Sequence, residues 1–228
     1  MATVKICGVR TPETVRELRR LSVDHIGFVF AKSKRQVSAE EAGALIRELH
    51  DGVSGGESER PLAVGVFVDP SMEQLEAIMD KAPLDVIQLH GSESPELCAA
   101  VKQRIGVRVF KAVSLERESR DIPSAENIAG RLDRYRGAVD AILLDTHDPV
   151  YGGGSGTTFA WECIPPYQVW AREAGVQLLV AGGLTPDNVD NLVSSFGPDG
   201  VDVSSGVETE GTKDLDKIRK FVERVKRS

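Results

Sequence analysis

Short apolar segments recur along the whole chain. Eight of them are rich in Val, Ile and Leu and are apolar at nearly every position: residues 4–7, 25–30, 62–68, 85–89, 107–113, 139–145, 177–181 and 201–203. Strands that are apolar on both faces are typical of a parallel sheet whose faces are covered by helices. The pattern therefore predicts eight buried, parallel strands.

Segments with helical spacing lie between these strands, and several have a recognisable start. Thr11, Ser94 and Thr185 are each followed by proline and an acidic residue, which predicts an N-cap with proline at the first helical position. Ser38 with Glu41 three residues later predicts a capping box. The chain thus alternates between strand and helix throughout its length.

Eight strand–helix repeats predict an α/β fold. Right-handed parallel crossovers leave two architectures, an open doubly wound sheet with an extra unit or a closed (β/α)8 TIM barrel. Eight repeats favour the barrel, although 228 residues is short for one. No linker-like change in composition divides the chain, so we expect one barrel domain over residues 1–228.

Composition narrows the possible functions. The chain has 28 Lys and Arg against 35 Asp and Glu, a net charge of −7, which argues against a basic nucleic-acid surface. No apolar run is long enough to span a membrane, and no secretory signal opens the sequence. Three widely spaced cysteines are not a disulfide framework. We expect a soluble cytoplasmic protein, monomeric or homodimeric, that binds a small molecule rather than a nucleic acid or a membrane.

Two strand ends carry candidate catalytic groups. Alternation along the first strand places Lys5 and Cys7 on the face opposite Val4 and Ile6, toward the barrel interior. Cys7 is either a small buried packing residue or a base acting as its thiolate. Asp145 follows four apolar residues and is either a cap or salt-bridge partner or a general acid. Cys98 and Cys163 lie in helical surroundings and are expected to pack.

Glycine-rich loops follow the last three strands. Residues 152–158 include Gly154 and Gly156, the seventh strand runs into Gly182 and Gly183, and the eighth runs into Ser205 and Gly206. Glycine lets backbone N–H groups approach an anion closely, and loops after strands 7 and 8 form the recurrent phosphate site of TIM barrels. These residues predict a phosphate-bearing ligand.

Two further polar residues follow strand ends. Arg35 lies in a basic run after the second strand and is either a solvated surface residue or a clamp for a substrate carboxylate. His90 follows the fourth strand and is expected to support the site. No metal-ligand spacing is present in the sequence, so no metal is expected.

Taken in order, these motifs resemble one family, the phosphoribosylanthranilate isomerases of tryptophan biosynthesis. The resemblance runs from Lys5 to residues 211–214 and rests on eight motifs: residues 5–8 (KICG), 27–30 (GFVF, with Ser33 and Arg35), 66–68 (VFV), 88–91 (QLHG), 144–145 (LD), 153–159, 181–184 (AGGL) and 201–208 (VDVSSGVE). It implies a TIM barrel that isomerises an aldose derivative to a ketose, an intramolecular oxidoreduction, without metal or cofactor.

The resemblance also implies roles for single residues. Cys7 would be the general base and Asp145 the general acid in an Amadori rearrangement of N-(5-phosphoribosyl)anthranilate to 1-(2-carboxyphenylamino)-1-deoxyribulose 5-phosphate. Arg35 would hold the anthranilate carboxylate and Asp202 the ribosyl part, with His90 at the same rim. The glycine loops would hold the phosphate.

One position departs from the family pattern. The family usually has Asp where this chain has Ala160, and we interpret that Asp as a helix cap or packing partner, with a role in ordering the loop over the substrate as the alternative. Two alternatives stay open: a non-catalytic phosphosugar-binding barrel, and another phosphosugar enzyme such as an indole-glycerol-phosphate synthase or an isomerase of histidine biosynthesis. Those enzymes would need a catalytic Lys–Glu set or paired aspartates. The combination of Lys5, Cys7 and Asp145 fits that requirement less well.

Overall fold

Eight parallel strands close into a barrel in chain order in the computed structural model, which describes residues 1–51, 60–116, 122–147 and 158–227. The strands are β1 Thr3–Cys7, β2 His25–Val29, β3 Leu62–Phe67, β4 Val86–Leu89, β5 Arg108–Glu116, β6 Ala141–His147, β7 Gln177–Val180 and β8 Gly200–Val203. Pairing of β1 with β8, Lys5 opposite Asp202, closes the sheet. The predicted TIM barrel is confirmed, and the open sheet is excluded.

Helices cover the outside of the barrel. They are α1 Pro12–Leu18, α2 Ala39–His50, α3 Met72–Met79, α4 Pro95–Arg104, α5 Ala125–Leu132, α6 Ile164–Ala174, α7 Val189–Phe196 and α8 Leu215–Arg227. Thr11 and Ser94 cap α1 and α4 as predicted, and Ser38 forms the predicted capping box.

The predicted cap at Thr185 lies one turn before the helix. Helix α7 begins four residues later, at Val189. The Thr185 hydroxyl accepts a hydrogen bond from Asp187 N, and the side chain of Asn188 accepts one from Thr185 N. The bond from Asp187 N is the one that an N-cap makes, and Val189 N donates to the Thr185 carbonyl at 3.2 Å, so Thr185 caps the turn of residues 186–188 that leads into α7.

The apolar side chains form two layers. Val4 and Ile6 face outward into the larger layer between strands and helices. The barrel interior is filled by a smaller cluster: Val64, Val86, Phe110, Ala112, Ala141, Leu143, Leu179 and Ala181. Lys5 is fully buried, as the alternation along β1 predicted.

A short hairpin lies between β8 and α8 and was not predicted. Its strands, β9 Glu208–Thr209 and β10 Thr212–Lys213, pair antiparallel. Glu210 and Gly211 both have positive φ, as the tight turn between the two strands requires. The hairpin brings Lys213 back over the end of β8.

Candidate active site

Cys7 ends β1 at the mouth of the barrel, where the carboxyl ends of all eight strands open. Its neighbour on the same face, Lys5, donates a hydrogen bond of 2.9 Å from Nζ to Asp202 Oδ2 on β8. The other oxygen, Asp202 Oδ1, is buried and has no hydrogen-bond partner among the described residues. Cys7 therefore lies beside a buried ion pair in which one carboxylate oxygen keeps its capacity to accept a hydrogen bond.

The surroundings of Cys7 act on its ionisation in opposite directions. Burial raises the pKa of the thiol, whereas the nearby ammonium groups of Lys5 and Lys213 lower it, and the net pKa lies above the ordinary value of 9.0. A small neighbour makes room for the sulfur, since a Cβ at Gly27 on β2 would lie 2.8 Å from Sγ. Cys7 thus lies among cationic groups that favour its thiolate against the effect of burial.

Asp145 on β6 lies at the same mouth of the barrel and contacts His90. His90 Nε2 lies 3.2 Å from Asp145 Oδ2, and Asp145 Oδ1 accepts a hydrogen bond of 2.8 Å from Thr146 N. On its other side, His90 Nδ1 lies 3.0 Å from the amide nitrogen of the buried Gln88. A chain of three polar groups therefore ends on the candidate acid, which the sequence alone did not predict.

A buried ion pair fixes the loop that carries His90. Lys111 Nζ lies 3.1 Å from Glu93 Oε2 and donates a hydrogen bond of 2.8 Å to the Gly91 carbonyl. Glu93 accepts hydrogen bonds from Gly91 N and Asp69 N. Neither Glu93 nor Lys111 is predicted from the sequence, although a lysine between apolar residues of a predicted buried strand is a usable signal.

Two of the predicted phosphate loops contact each other. Gly182, after β7, has a φ of 84° that favours glycine, and a Cβ there would lie 3.0 Å from Asp145 Oδ1. A Cβ at Gly206 would overlap the carbonyl of Leu184, so the loop after β8 packs directly on the loop holding Gly182 and Gly183. A 3-10 turn, Ser205–Val207, follows β8. Gly154 and Gly156 lie outside the described residues.

Arg35 is also at this end of the barrel, on the loop after β2. Its Nε and Nη2 donate to Glu208 Oε1 and Oε2 at 2.7 and 2.8 Å, a bidentate pair. Lys213 Nζ donates to the same carboxylate at 2.7 Å and to the carbonyl of Ser204 at 2.9 Å. Arg35 is therefore not a solvated surface residue. Glu208 and Lys213 were not predicted to take part.

The remaining predicted positions have simpler surroundings. Cys98 is fully buried, and burial raises its pKa to about 11, which agrees with a packing role. Cys163 is also buried. Ala160 occupies the residue before the 3-10 turn Trp161–Cys163 that leads into α6, and it provides no side-chain cap there.

The described part of the chain has neither a candidate metal site nor a candidate membrane span. No cluster of three or more His, Cys, Asp or Glu side chains there has the arrangement of a metal site. None of the described helices combines the length and the apolar character needed to cross a bilayer.

Comparison with known proteins identifies the family. The sequence model of the N-(5'phosphoribosyl)anthranilate (PRA) isomerase family matches residues 4–224. An N-(5'-phosphoribosyl)anthranilate isomerase of Brevibacillus brevis is 45% identical over 226 residues, which are 99% of this chain and 94% of the relative.

Solved structures agree with the sequence relatives. The phosphoribosyl anthranilate isomerase of Thermotoga maritima has a TM-score of 0.80 at 36% identity, with both chains fully covered. A phosphoribosyl anthranilate isomerase in complex with reduced 1-(o-carboxyphenylamino)-1-deoxyribulose 5-phosphate has a TM-score of 0.76 at 33% identity, again with full coverage of both. With matches over nearly its whole length, this chain belongs to the N-(5'-phosphoribosyl)anthranilate isomerase family.

Proposed function

We propose that the protein catalyses the Amadori rearrangement of N-(5-phosphoribosyl)anthranilate, with Cys7 as general base and Asp145 as general acid. The observation that carries these roles is that a thiol from β1 and a carboxyl from β6 end at one mouth of the barrel. Asp145 also lies against the loop of Gly182, where the phosphate is expected, since a Cβ at Gly182 would lie 3.0 Å from Asp145 Oδ1. Acid, base and anchor therefore surround one space.

The first step opens the ribose ring. Asp145, protonated, gives its proton to the ring oxygen as the C1′–O4′ bond breaks, and the anilinic nitrogen supplies the electron pair that forms a C1′=N iminium. His90 holds the Asp145 carboxyl through Oδ2, which leaves the group oriented toward the mouth. A positioned acid contributes about 10² to 10⁴ in rate.

The second step moves a proton from C2′. The iminium acidifies the C2′ hydrogen, Cys7 thiolate takes it, and the electron pair of the C–H bond becomes a C1′=C2′ enol-amine. Gain of a proton at C1′ and loss of the enol proton then give the ketone. Asp145 loses its proton in the first step and Cys7 gains one in the second, so the pair holds one proton at the start and one at the end, and the reactive form carries it on Asp145.

Anchoring at both ends orients the substrate between these groups. We infer that Arg35 binds the anthranilate carboxylate, that the loops of Gly182, Gly183, Ser205 and Gly206, with Gly154 and Gly156, bind the phosphate, and that Asp202 Oδ1 accepts a ribosyl hydroxyl. The buried, unpartnered state of that oxygen supports the last assignment. Fixing both ends supplies the alignment that proton transfer needs.

A base that works as a free thiol requires a reducing compartment, which supports a cytoplasmic location. In this proposal, no metal or cofactor takes part in the rearrangement.

The test is to offer phosphoribosylanthranilate generated in situ and to separate the products by chromatography with mass detection. We expect a product of unchanged mass that no longer releases anthranilate on acid treatment. A Cys7→Ser preparation is the matched control for contaminating activity. Return of anthranilate alone from the wild-type protein would contradict the proposed function.

A further inference from the structure

Arg35 and Glu208 are far apart in sequence and meet only because the barrel closes. Both oxygens of Glu208 bind the Nε–Nη2 edge of the guanidinium. The Glu208 carboxylate is nearly buried, at 8% exposure of its side chain, and Arg35 is at 23%. A bidentate pair at this depth holds the guanidinium plane in one orientation.

Glu208, which binds Arg35, is itself fixed by hydrogen bonds from two lysines. Lys213 donates to Glu208 Oε1, and the backbone carbonyl of Glu208 accepts a hydrogen bond of 2.7 Å from Lys217 Nζ. Hydrogen bonds from Arg35 and Lys213 lower the pKa of Glu208 to about 2, so the group is ionised at neutral pH. Its conformation is thus fixed by the hairpin β9–β10 and by α8, not by a ligand.

We propose that Glu208 is a positioning residue for the anthranilate carboxylate: it occupies the Nε–Nη2 edge of Arg35 so that the Nη1–Nη2 edge meets the substrate. This inference rests on the proposed function and deepens it. A guanidinium has five N–H donors in a planar fork, and Glu208 uses two of them. The remaining donors form a second edge that matches one more carboxylate.

Lys213 explains how two carboxylates share one arginine. Arg35, Lys213 and Glu208 together carry one net positive charge, which a single substrate carboxylate neutralises. Without Lys213, Glu208 would cancel the charge of Arg35 and repel the substrate. The buried Lys213, whose side chain is 4% exposed, therefore makes the positioning carboxylate compatible with an anionic substrate.

The experiment compares Glu208→Gln with wild type on two substrates: phosphoribosylanthranilate and the analogue made from aniline, which lacks the carboxylate. Glutamine keeps the size of the side chain but cannot accept from both Arg35 donors. We expect the KM for the carboxylate-bearing substrate to rise about tenfold with kcat changed less than threefold, since one oriented charged contact is lost. The KM for the aniline analogue should not change.

Two controls separate positioning from general damage. Asp85 forms another bidentate pair with an arginine, Arg60, at 2.7 and 2.9 Å, and this pair lies at the opposite end of the barrel. Asp85→Asn weakens that pair and should leave both KM values unchanged. Arg35→Met combined with Glu208→Gln should have the same KM as Arg35→Met alone. If Glu208→Gln proves unstable to heat, Glu208→Asp, which shifts the carboxylate by one methylene, carries the same prediction.

An unchanged or lower KM for phosphoribosylanthranilate, an equal rise for both substrates, or additive effects in the double variant would each overturn the role of Glu208. In all three cases the wild type still converts its substrate. If the wild type converts neither substrate, the proposed function itself fails, and the inference fails with it.

Discussion

The strand aspartates at the two ends of the barrel differ in how they are bonded. At the amino end, an aspartate precedes every even-numbered strand and accepts a hydrogen bond of 2.7–2.8 Å from a backbone N–H of the strand before it: Asp24 from Val4, Asp85 from Ala63, Asp140 from Val109 and Asp199 from Leu178. Three of the four also pair with a cation, Lys226, Arg60 or Lys102.

At the carboxyl end, several buried polar atoms have no hydrogen-bond partner. Within the described residues, Asp202 Oδ1, Gln88 Oε1 and Thr146 Oγ1 are buried there without a hydrogen-bond partner. Unsatisfied buried groups cost stability, and at a strand end that opens at the mouth a ligand can complete the bonding. The aspartates before the even-numbered strands are thus satisfied within the fold, whereas Asp202 at the carboxyl end keeps one oxygen that a ligand can bond.

The largest expected effect comes from removing the two proposed catalytic groups at the mouth. Cys7→Ser and Asp145→Asn should each lower kcat by at least about 10³-fold, because each deletes a proton-transfer group. The melting temperature should stay within a few degrees of wild type, as measured by calorimetry. Near-normal turnover by either variant would remove that residue from the mechanism.

The next test is the pH dependence of kcat/KM. The reactive form holds one proton on the Cys7–Asp145 pair, so the rate falls when alkaline conditions remove that proton. Because burial raises the Cys7 pKa, this fall should begin above the ordinary thiol value of 9.0. A decline centred well below that value, with the fold intact by circular dichroism, would show that Cys7 is not the titrating group.

At the amino end, substitution of an aspartate should lower stability and leave activity unchanged. Asp140→Asn weakens both the Val109 N–H bond and the pairing with Lys102, so we expect a loss of about 2 kcal/mol in the free energy of unfolding. Urea denaturation measures the loss, and kcat and KM should stay at wild-type values. A selective loss of activity with full stability would break the proposed division between the ends.

The smallest expected effect concerns position 160. Ala160→Asp should restore a cap to the turn before α6 and add about 1 kcal/mol to the free energy of unfolding. Because the cap lies outside the reacting groups, kcat should not change. A clear rise in kcat would instead indicate that the family aspartate orders the substrate loop.

Much of the fold follows from local patterns. All eight strands lie where apolar runs predict them, and the alternation along β1 correctly places Lys5 inside. Strand β5 is longer than predicted because its polar end, from Ser114 to Glu116, pairs with Asp145 to His147 on β6. Apolar patterning does not detect a strand that continues by backbone pairing alone.

The site was predictable only one residue at a time. Strand-end positions and glycine loops point to Cys7, Asp145 and Gly182, since parallel strands all end at one face. The partners of the site residues could not be predicted in this way. Lys5 pairs with Asp202, and Arg35 pairs with Glu208, across more than 170 residues of sequence. Such pairs depend on closure of the barrel and on side-chain reach, which no local pattern encodes.

The central claim is that Cys7 and Asp145 act on one substrate from two sides of the same mouth. A crystal structure of this protein with reduced 1-(o-carboxyphenylamino)-1-deoxyribulose 5-phosphate tests it most directly. We predict Cys7 Sγ in contact with C2′ and the Asp145 carboxyl in hydrogen-bonding distance of the O4′ hydroxyl, with the phosphate on the loops of Gly182 and Gly206. A bound analogue that leaves either group out of contact with those atoms would contradict the account.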